Sequence, residues 1–547
     1  MTKPLFKLSP VVAAVLGVAF SSPSFGGEAI VFDNGAKLDW KATTTYTLAT
    51  RLRSPDALLA NDSADYVAPD GDNNFKKGAL TANRVALLLE GKLSKDRSGL
   101  VLSASTFYDD VYHGKTDNRG DALATADAPG TFSSHARRYH GGYSRILDAY
   151  GYTSFGVGDD GDATLRLGRH VVSWGEALFF PAISLAQGPV DGSKSSIPGT
   201  ETKDLLLPED QFSLIYRATP NWTLMAHAQY GWHPIITNAP GSFLNTSNVS
   251  GPGNSCLDRY YPNGSGGYTC AYGAREHDDK PGNTGQWGIG TRYRVTEETE
   301  LGLYYLNFHD RVGLPVVNVF ADSDALYGGT YRNRYFDNVK LVGASLSTTL
   351  GMATLAGEIA YKRGAPELVD AILPGDNVLP TPSRANTLQT SINSFINFGR
   401  SDFADGALLL AELSYIDVSG VKKIKAPGIG ALGPMADYFP ASNKLSMSSY
   451  GLGFSTSLYL NYDGVLKGWD LEVPLSYAHQ LSGRTLLGPV GGQGERSFSI
   501  GAAMTYNQNL SFELTYLNFL GKANLDIKKE KALTDRDQLS LVVKYNF

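Results

Sequence analysis

Apolar and polar residues alternate along much of this chain with a period of two. Leu38, Trp40, Ala42, Thr44, Tyr46 and Leu48 share one parity, and Asp39, Lys41, Thr43, Thr45 and Thr47 share the other. Successive side chains of a strand point to opposite faces, so this run predicts a strand with one face toward an apolar medium and the other toward water. The pattern returns with Val85, Leu87 and Leu89 against Arg84 and Glu90. It returns again with Trp222, Leu224, Ala226, Ala228 and Tyr230 against Thr223, His227 and Gln229. Leu388, Ile392 and Ile396 stand against Gln389, Ser391, Asn393 and Asn397, and Phe512, Leu514 and Tyr516 against Glu513 and Thr515. Aromatic residues gather near the strand ends, where a ring meets lipid and its polar tip meets headgroups.

The connections between these segments alternate in length. Short turns are expected near 94–98, 157–160, 219–221, 296–298, 350–351, 398–404, 461–467 and 508–509. Long polar loops are expected near 54–82, 111–144, 172–209, 232–284, 310–339, 364–385, 417–446, 481–496 and 521–536. Short periplasmic turns and long external loops are the habit of a transmembrane barrel. The fold expected is all-β, a transmembrane antiparallel β-barrel of 18 strands with long extracellular loops and both termini periplasmic. The count needs the weak segment 386–397 as a strand; without it the number falls to 16. The first strand begins near residue 38, which leaves no room for a large N-terminal plug, so any obstruction of the lumen must come from infolded loops.

The two ends of the chain fix the compartment. Lys3 and Lys7, the apolar stretch Val11–Phe20 and the small-x-small site Ser24-Phe25-Gly26 read as a secretory signal peptide over 1–26, leaving 27–547 as the barrel. The apolar stretch is shorter than the about 20 residues of a spanning helix. At the other end Leu539, Leu541, Val543, Tyr545 and Phe547 share one face, opposite Gln538, Ser540, Lys544 and Asn546, with Val542 the exception. A strand run ending on an aromatic residue resembles the terminal signal read by barrel-assembly machinery. These features place the protein in the outer membrane, in contact with lipid and lipopolysaccharide.

Composition adds exclusions. A formal net charge of −6 without a concentrated basic stretch excludes a nucleic-acid partner. The two cysteines, Cys256 and Cys270, lie in a loop-like segment and are expected to pair in an oxidising compartment. Asp70-Gly71-Asp72-Asn73-Asn74 and His277-Asp278-Asp279 hold clustered oxygen donors but lack a full calcium-loop pattern, and are read as turns with no metal. Neither His-Glu-x-x-His nor Gly-x-Ser-x-Gly occurs, and no phosphate-cradling loop is followed by Lys-Ser/Thr, so no catalytic residue or cofactor is expected.

The densest motif region is 145–218. It holds Arg145-Ile146-Leu147-Asp148-Ala149-Tyr150 and then Gly168-Arg169-His170-Val171-Val172-Ser173-Trp174-Gly175-Glu176, followed by Pro198-Gly199-Thr200, Lys203-Asp204 and Leu207-Pro208. With Phe107-Tyr108-Asp109 and Gly357-Glu358-Ile359-Ala360-Tyr361, this resembles a proteobacterial outer-membrane barrel family long catalogued as a domain of unknown function. Gly188-Pro189-Val190-Asp191 departs from that family's Asn-Pro-x-Asp. Genes of the family often lie beside those of a second exported family of unknown function and an exporter of the resistance-nodulation-division class. The resemblance implies transport of a hydrophobic or amphipathic cargo, with a periplasmic partner and an inner-membrane exporter. A small-solute porin is the alternative, and an outer-membrane enzyme or a receptor barrel stands behind both.

Candidate functional residues follow from parity. Glu176 is expected to pin a constricting loop to Arg166 or Arg169 while Trp174 packs on the wall. Arg166 and His170 fall on the polar face. Arg169 falls on the apolar face, where it either snorkels at the rim or is turned inward by a bulge. Glu358, Lys362, Glu412 and Glu472 have lumen parity, where charge can tune passage.

Overall fold

The computed structural model describes residues 27–547 except 64, 65, 121, 122, 124, 126, 196 and 376. The signal peptide expected over 1–26 lies outside the described residues. Eighteen strands form the wall: β1 (Lys37–Arg51), β2 (Leu80–Lys95), β3 (Ser98–Asp109), β4 (Gly142–Val157), β5 (Gly161–His170), β6 (Glu209–Thr219), β7 (Trp222–Gln229), β8 (Gln286–Arg294) and β9 (Thr299–Phe308), then β10 (Val339–Leu350), β11 (Ala353–Ile372), β12 (Val378–Asn397), β13 (Gly406–Ser419), β14 (Tyr450–Leu466), β15 (Trp469–Gly483), β16 (Arg496–Tyr506), β17 (Leu510–Leu520) and β18 (Gln538–Asn546).

Every strand pairs antiparallel with its neighbours in sequence. The wall closes where β1 meets β18, in register from Thr43↔Asn546 to Arg51↔Gln538. The amide of Phe547 adds a further bond by donating to the Ala42 carbonyl at 2.9 Å. Closure is forced by the medium, because an unpaired edge would leave N–H and C=O groups without partners in hydrocarbon. No helix among the described residues is long and apolar enough to cross a membrane.

The alternation read from the sequence is the in–out alternation of this wall. On β12, Leu388 and Ile392 are exposed outward while Gln389, Ser391 and Asn393 are buried inward. On β1, Tyr46 faces out and Thr43, Thr45 and Thr47 face in. Two aromatic belts bound the apolar band. At the turn end Trp469 packs on Tyr506 at 5.1 Å and Tyr545 on Phe547 at 4.6 Å. At the loop end Trp287 packs on Tyr305 at 5.5 Å and Tyr415 on Tyr450 at 6.4 Å. A closed barrel with an apolar belt and a polar interior is an outer-membrane protein.

The weak segment 386–397 is a strand, the inner end of β12, so the count is 18 rather than 16. One expected loop is different. Residues 364–385 continue β11 and β12 beyond the belt as a paired hairpin, from Ala365↔Ala385 to Ile372↔Val378. Leu368, Val369, Ala371 and Leu379 there are buried against other loops, so the segment needs no clean alternation. Cys256 and Cys270 are disulfide-bonded. The two clustered-donor segments spend their carboxylates on arginines. Buried Asp72 lies 2.8 Å from Arg536 and 3.2 Å from Arg51, and Asp278 and Asp279 pair with Arg275 and Arg332.

A charge on the lipid face at mid-depth costs about 2–4 kcal/mol. Leu303 stands exposed at the middle of β9. Leu303→Arg is expected to lower the unfolding free energy in lipid by about that amount, read from urea titration of the folded, heat-modifiable band.

Candidate functional site

The interior is filled by its own loops, chiefly residues 171–208 between β5 and β6 and residues 230–285 between β7 and β8. The first of these crosses the lumen. Its leading half is held by β11, β12 and β13. Oε2 of Glu358 accepts from the amides of Glu176 at 3.0 Å and Ala177 at 3.3 Å, and Oε1 accepts from Ala182 at 3.1 Å. Oε2 of Glu412 accepts from Leu178 at 2.7 Å and Phe179 at 2.5 Å. The wall also donates: Asn393 gives Nδ2–H to the Glu176 carbonyl and Gln389 gives Nε2–H to that of Phe180, both at 2.7 Å.

The wall around these carboxylates is made of small side chains. Glu358 lies between Ser345 and Ser391 across its two ladders, and Glu412 between Asn393 and Ser455. This leaves room for a main chain to approach. Gly175 uses that room: its φ of +96° is a left-handed conformation, and a Cβ there would collide with Oε2 of Glu358. Trp174 wedges the turn, edge-on to His227 at 5.0 Å and stacked near Tyr304 at 6.0 Å. Its amide donates to Oε1 of Gln187 at 2.6 Å. The Trp-Gly-Glu string is thus a wedge, a close approach and a hydrogen-bonding main chain.

The trailing half is tied to β1–β4 and β18. Asp191 accepts from the Tyr143 hydroxyl at 2.8 Å and pairs with Arg145. Ser105 of β3 donates to Asp204 at 2.6 Å; within the loop, buried Lys194 reaches the same carboxylate at 2.9 Å, and burial brings its ammonium down to about 8 against that pull. Lys203 pairs with Glu90 at 2.6 Å, Glu201 pairs with Lys544 at 2.6 Å, and Thr47 donates to the Pro198 carbonyl at 3.0 Å. In the departing Gly188-Pro189-Val190-Asp191 segment, the Pro189 carbonyl accepts from the Leu207 amide at 3.0 Å and the Asp191 amide donates to the Leu205 carbonyl at 2.8 Å, an antiparallel bridge.

Several expected contacts fall elsewhere. The Glu176 carboxylate lies 3.7 Å from Arg292, not at Arg166 or Arg169, and the pinning passes through its amide and carbonyl. Burial raises its carboxyl above the ordinary value; Arg292 opposes the rise, and Glu300 and Glu358 add to it. Arg169 stays on the outer parity and snorkels onto Asp210, which is its cross-strand partner, at 3.1 and 3.2 Å. Arg166 lies 5.8 Å from the Tyr150 ring. His170 is buried, with Nε2 at 2.7 Å from the Ser213 hydroxyl. Glu472 lies near the start of β15, away from the crossing loop. Gln389, Asn393, Gln187 and Arg292 were not anticipated as plug contacts. For the first two the available signal was their lumen parity on β12.

Among the described residues, two cavities meet at Phe180 of the plug. The larger, about 440 Å³, runs between plug residues 197–202 and the wall of β14–β18, where it meets Glu513, Thr515, Ser540 and Lys544. The smaller, about 130 Å³, is apolar and lies among Phe179, Leu185, Ile235, Leu486 and Leu487, with Lys362 on its edge. Phe180, Ser195 and Val490 line both.

Residues 7–547 match a family described as "Protein of unknown function (DUF1302)". The chain belongs to DUF1302. No curated protein matches this DUF1302 chain. Among solved structures it is similar to OccK2 (OpdF) of Pseudomonas aeruginosa, at 13% identity and a TM-score of 0.39, covering 95% of this chain and 99% of that one. OccAB1 of Acinetobacter baumannii is similar at 10% and 0.41, with 95% and 99% covered. A BenF-like porin from Pseudomonas fluorescens Pf-5 is similar at 8% and 0.42, with 93% and 98% covered. Likeness at this level says nothing of what the DUF1302 barrel carries.

Removing acceptors from several buried amides frees the segment they hold. The double variant Glu358→Ala/Glu412→Ala is expected to raise single-channel conductance several-fold in planar bilayers and to add open-channel noise. Glu176→Ala, which keeps every main-chain bond, is expected to leave the current close to that of the parent.

Proposed function

We propose that this DUF1302 barrel is a passive outer-membrane transport route for hydrophobic or amphipathic solutes. The observation that carries the reading is a pair of cavities beside a tethered plug, both lined by Phe180, Ser195 and Val490. A solute crossing here meets a largely apolar chamber on one side of Phe180 and Val490 and, on the other, a space along β14–β18 whose mixed lining carries Glu201, Arg496, Glu513 and Lys544. A molecule with one apolar and one polar part gains contacts in both, whereas a strongly hydrated solute must shed water in the first. The lumen field is mixed, since Glu513 and Glu201 stand near Arg496 and Lys544 along the larger cavity, so bulk charge selection is weak.

The two transport readings separate in proteoliposome swelling. Phenylalanine, a zwitterion with an apolar ring, is expected to enter several-fold faster than arabinose. Ser540→Trp, which fills the larger cavity, is expected to slow both. Equal or faster arabinose entry would favour a small-solute porin, and swelling no faster than in empty liposomes would contradict a passive route.

A further inference from the structure

The smaller cavity carries more information than its shape. Its lining is apolar or uncharged except for Lys362, which is 6% exposed. Lys362 makes no ion pair or hydrogen bond with any described residue. Two carboxylates bear on it electrostatically, and both are engaged elsewhere. Glu358 accepts three plug amides, and Oδ1 of Asp310 accepts from the Val312 amide at 2.9 Å. An ammonium withdrawn from water without a direct partner is costly, so a site that keeps one has an unfilled demand for an anion.

The placement suits a ligand. Lys362 lies four residues beyond Glu358 on the same face of β11, toward the external loops. The chamber is therefore on the outer side of the pinned segment. Its aromatic wall is held in position, because Glu412 accepts from the Phe179 amide and Gln389 donates to the Phe180 carbonyl. A volume near 130 Å³ is close to that of the apolar cavity of about 150 Å³ known to take benzene.

We propose that this chamber is a binding site for a small amphipathic carboxylate: an apolar body about the size of one benzene ring, with its anion on the Lys362 ammonium. The apolar body packs on Phe179, Leu185, Leu486 and Leu487, and the carboxylate supplies the missing partner. The inference rests on the amphipathic-solute reading and names its chemistry.

Titration calorimetry on the purified, detergent-folded protein tests it with benzoate and its neutral isostere benzamide. Benzoate is expected to bind the parent at least about tenfold more tightly than benzamide, the gain of a charge-assisted bond. Lys362→Met keeps the bulk and is expected to erase that difference, while Lys362→Arg retains most of it. Val312→Phe, which fills the chamber and leaves the wall untouched, is expected to abolish binding of both. Equal affinities in the parent, an unchanged preference in Lys362→Met, or no benzoate binding would each overturn the proposal. Binding is read at equilibrium without transport. A barrel that binds benzoate but passes no phenylalanine therefore defeats only the transport reading, and flux without charge-dependent binding defeats only this one.

Discussion

A carboxylate in a barrel wall must find donors or stay in water. Here two of them find donors in a main chain. Glu358 and Glu412 together accept five amides from residues 176–182, and such charged hydrogen bonds are worth roughly 1.5–3 kcal/mol each. The position of the plug, the shape of the space left beside it and the stance of Phe179 and Phe180 all follow from that exchange. Among its described residues the loop has little regular structure of its own to hold it there: short helical turns at 184–186 and 202–205 and a bridge between Val190 and Leu206.

The wall and the plug are matched in kind. Inward positions near the contact are Ser345, Ser391, Ser414 and Ser455, all buried and all small, so backbone can come close. Opposite, the trailing half of the loop meets longer side chains, and the ties there are ion pairs such as Lys203–Glu90 and Glu201–Lys544. The leading half is thus fixed through main-chain amides and the trailing half through side-chain charge. The larger cavity lies along β14–β18, where the plug makes few bonds among the described residues.

The fold was legible because a membrane wall leaves little freedom. Lipid on one side and water or polar protein on the other impose a period of two, and closure imposes an even count in this all-antiparallel wall with both ends on one side. The reading failed where that constraint lapses. Residues 364–385 stand clear of lipid, so Leu368 and Val369 could both be buried and the hairpin looked like a loop. The site was half legible. Parity placed Glu358, Lys362 and Glu412 inside, and the Trp-Gly-Glu string marked the turn. The partners were hidden because amide donors leave no side-chain signature; a search for a charged mate turned instead to Arg166 and Arg169. Arg169 had two readings from sequence, and only Asp210 directly across β6 separates them.

Amide hydrogen exchange along residues 176–182 measures the central contact directly. If the wall carboxylates hold these amides, 176–179 and 182 exchange as slowly as the neighbouring strand amides of β11 and β13. Exchange as fast as that of the exposed turn at 263–267 would contradict the account.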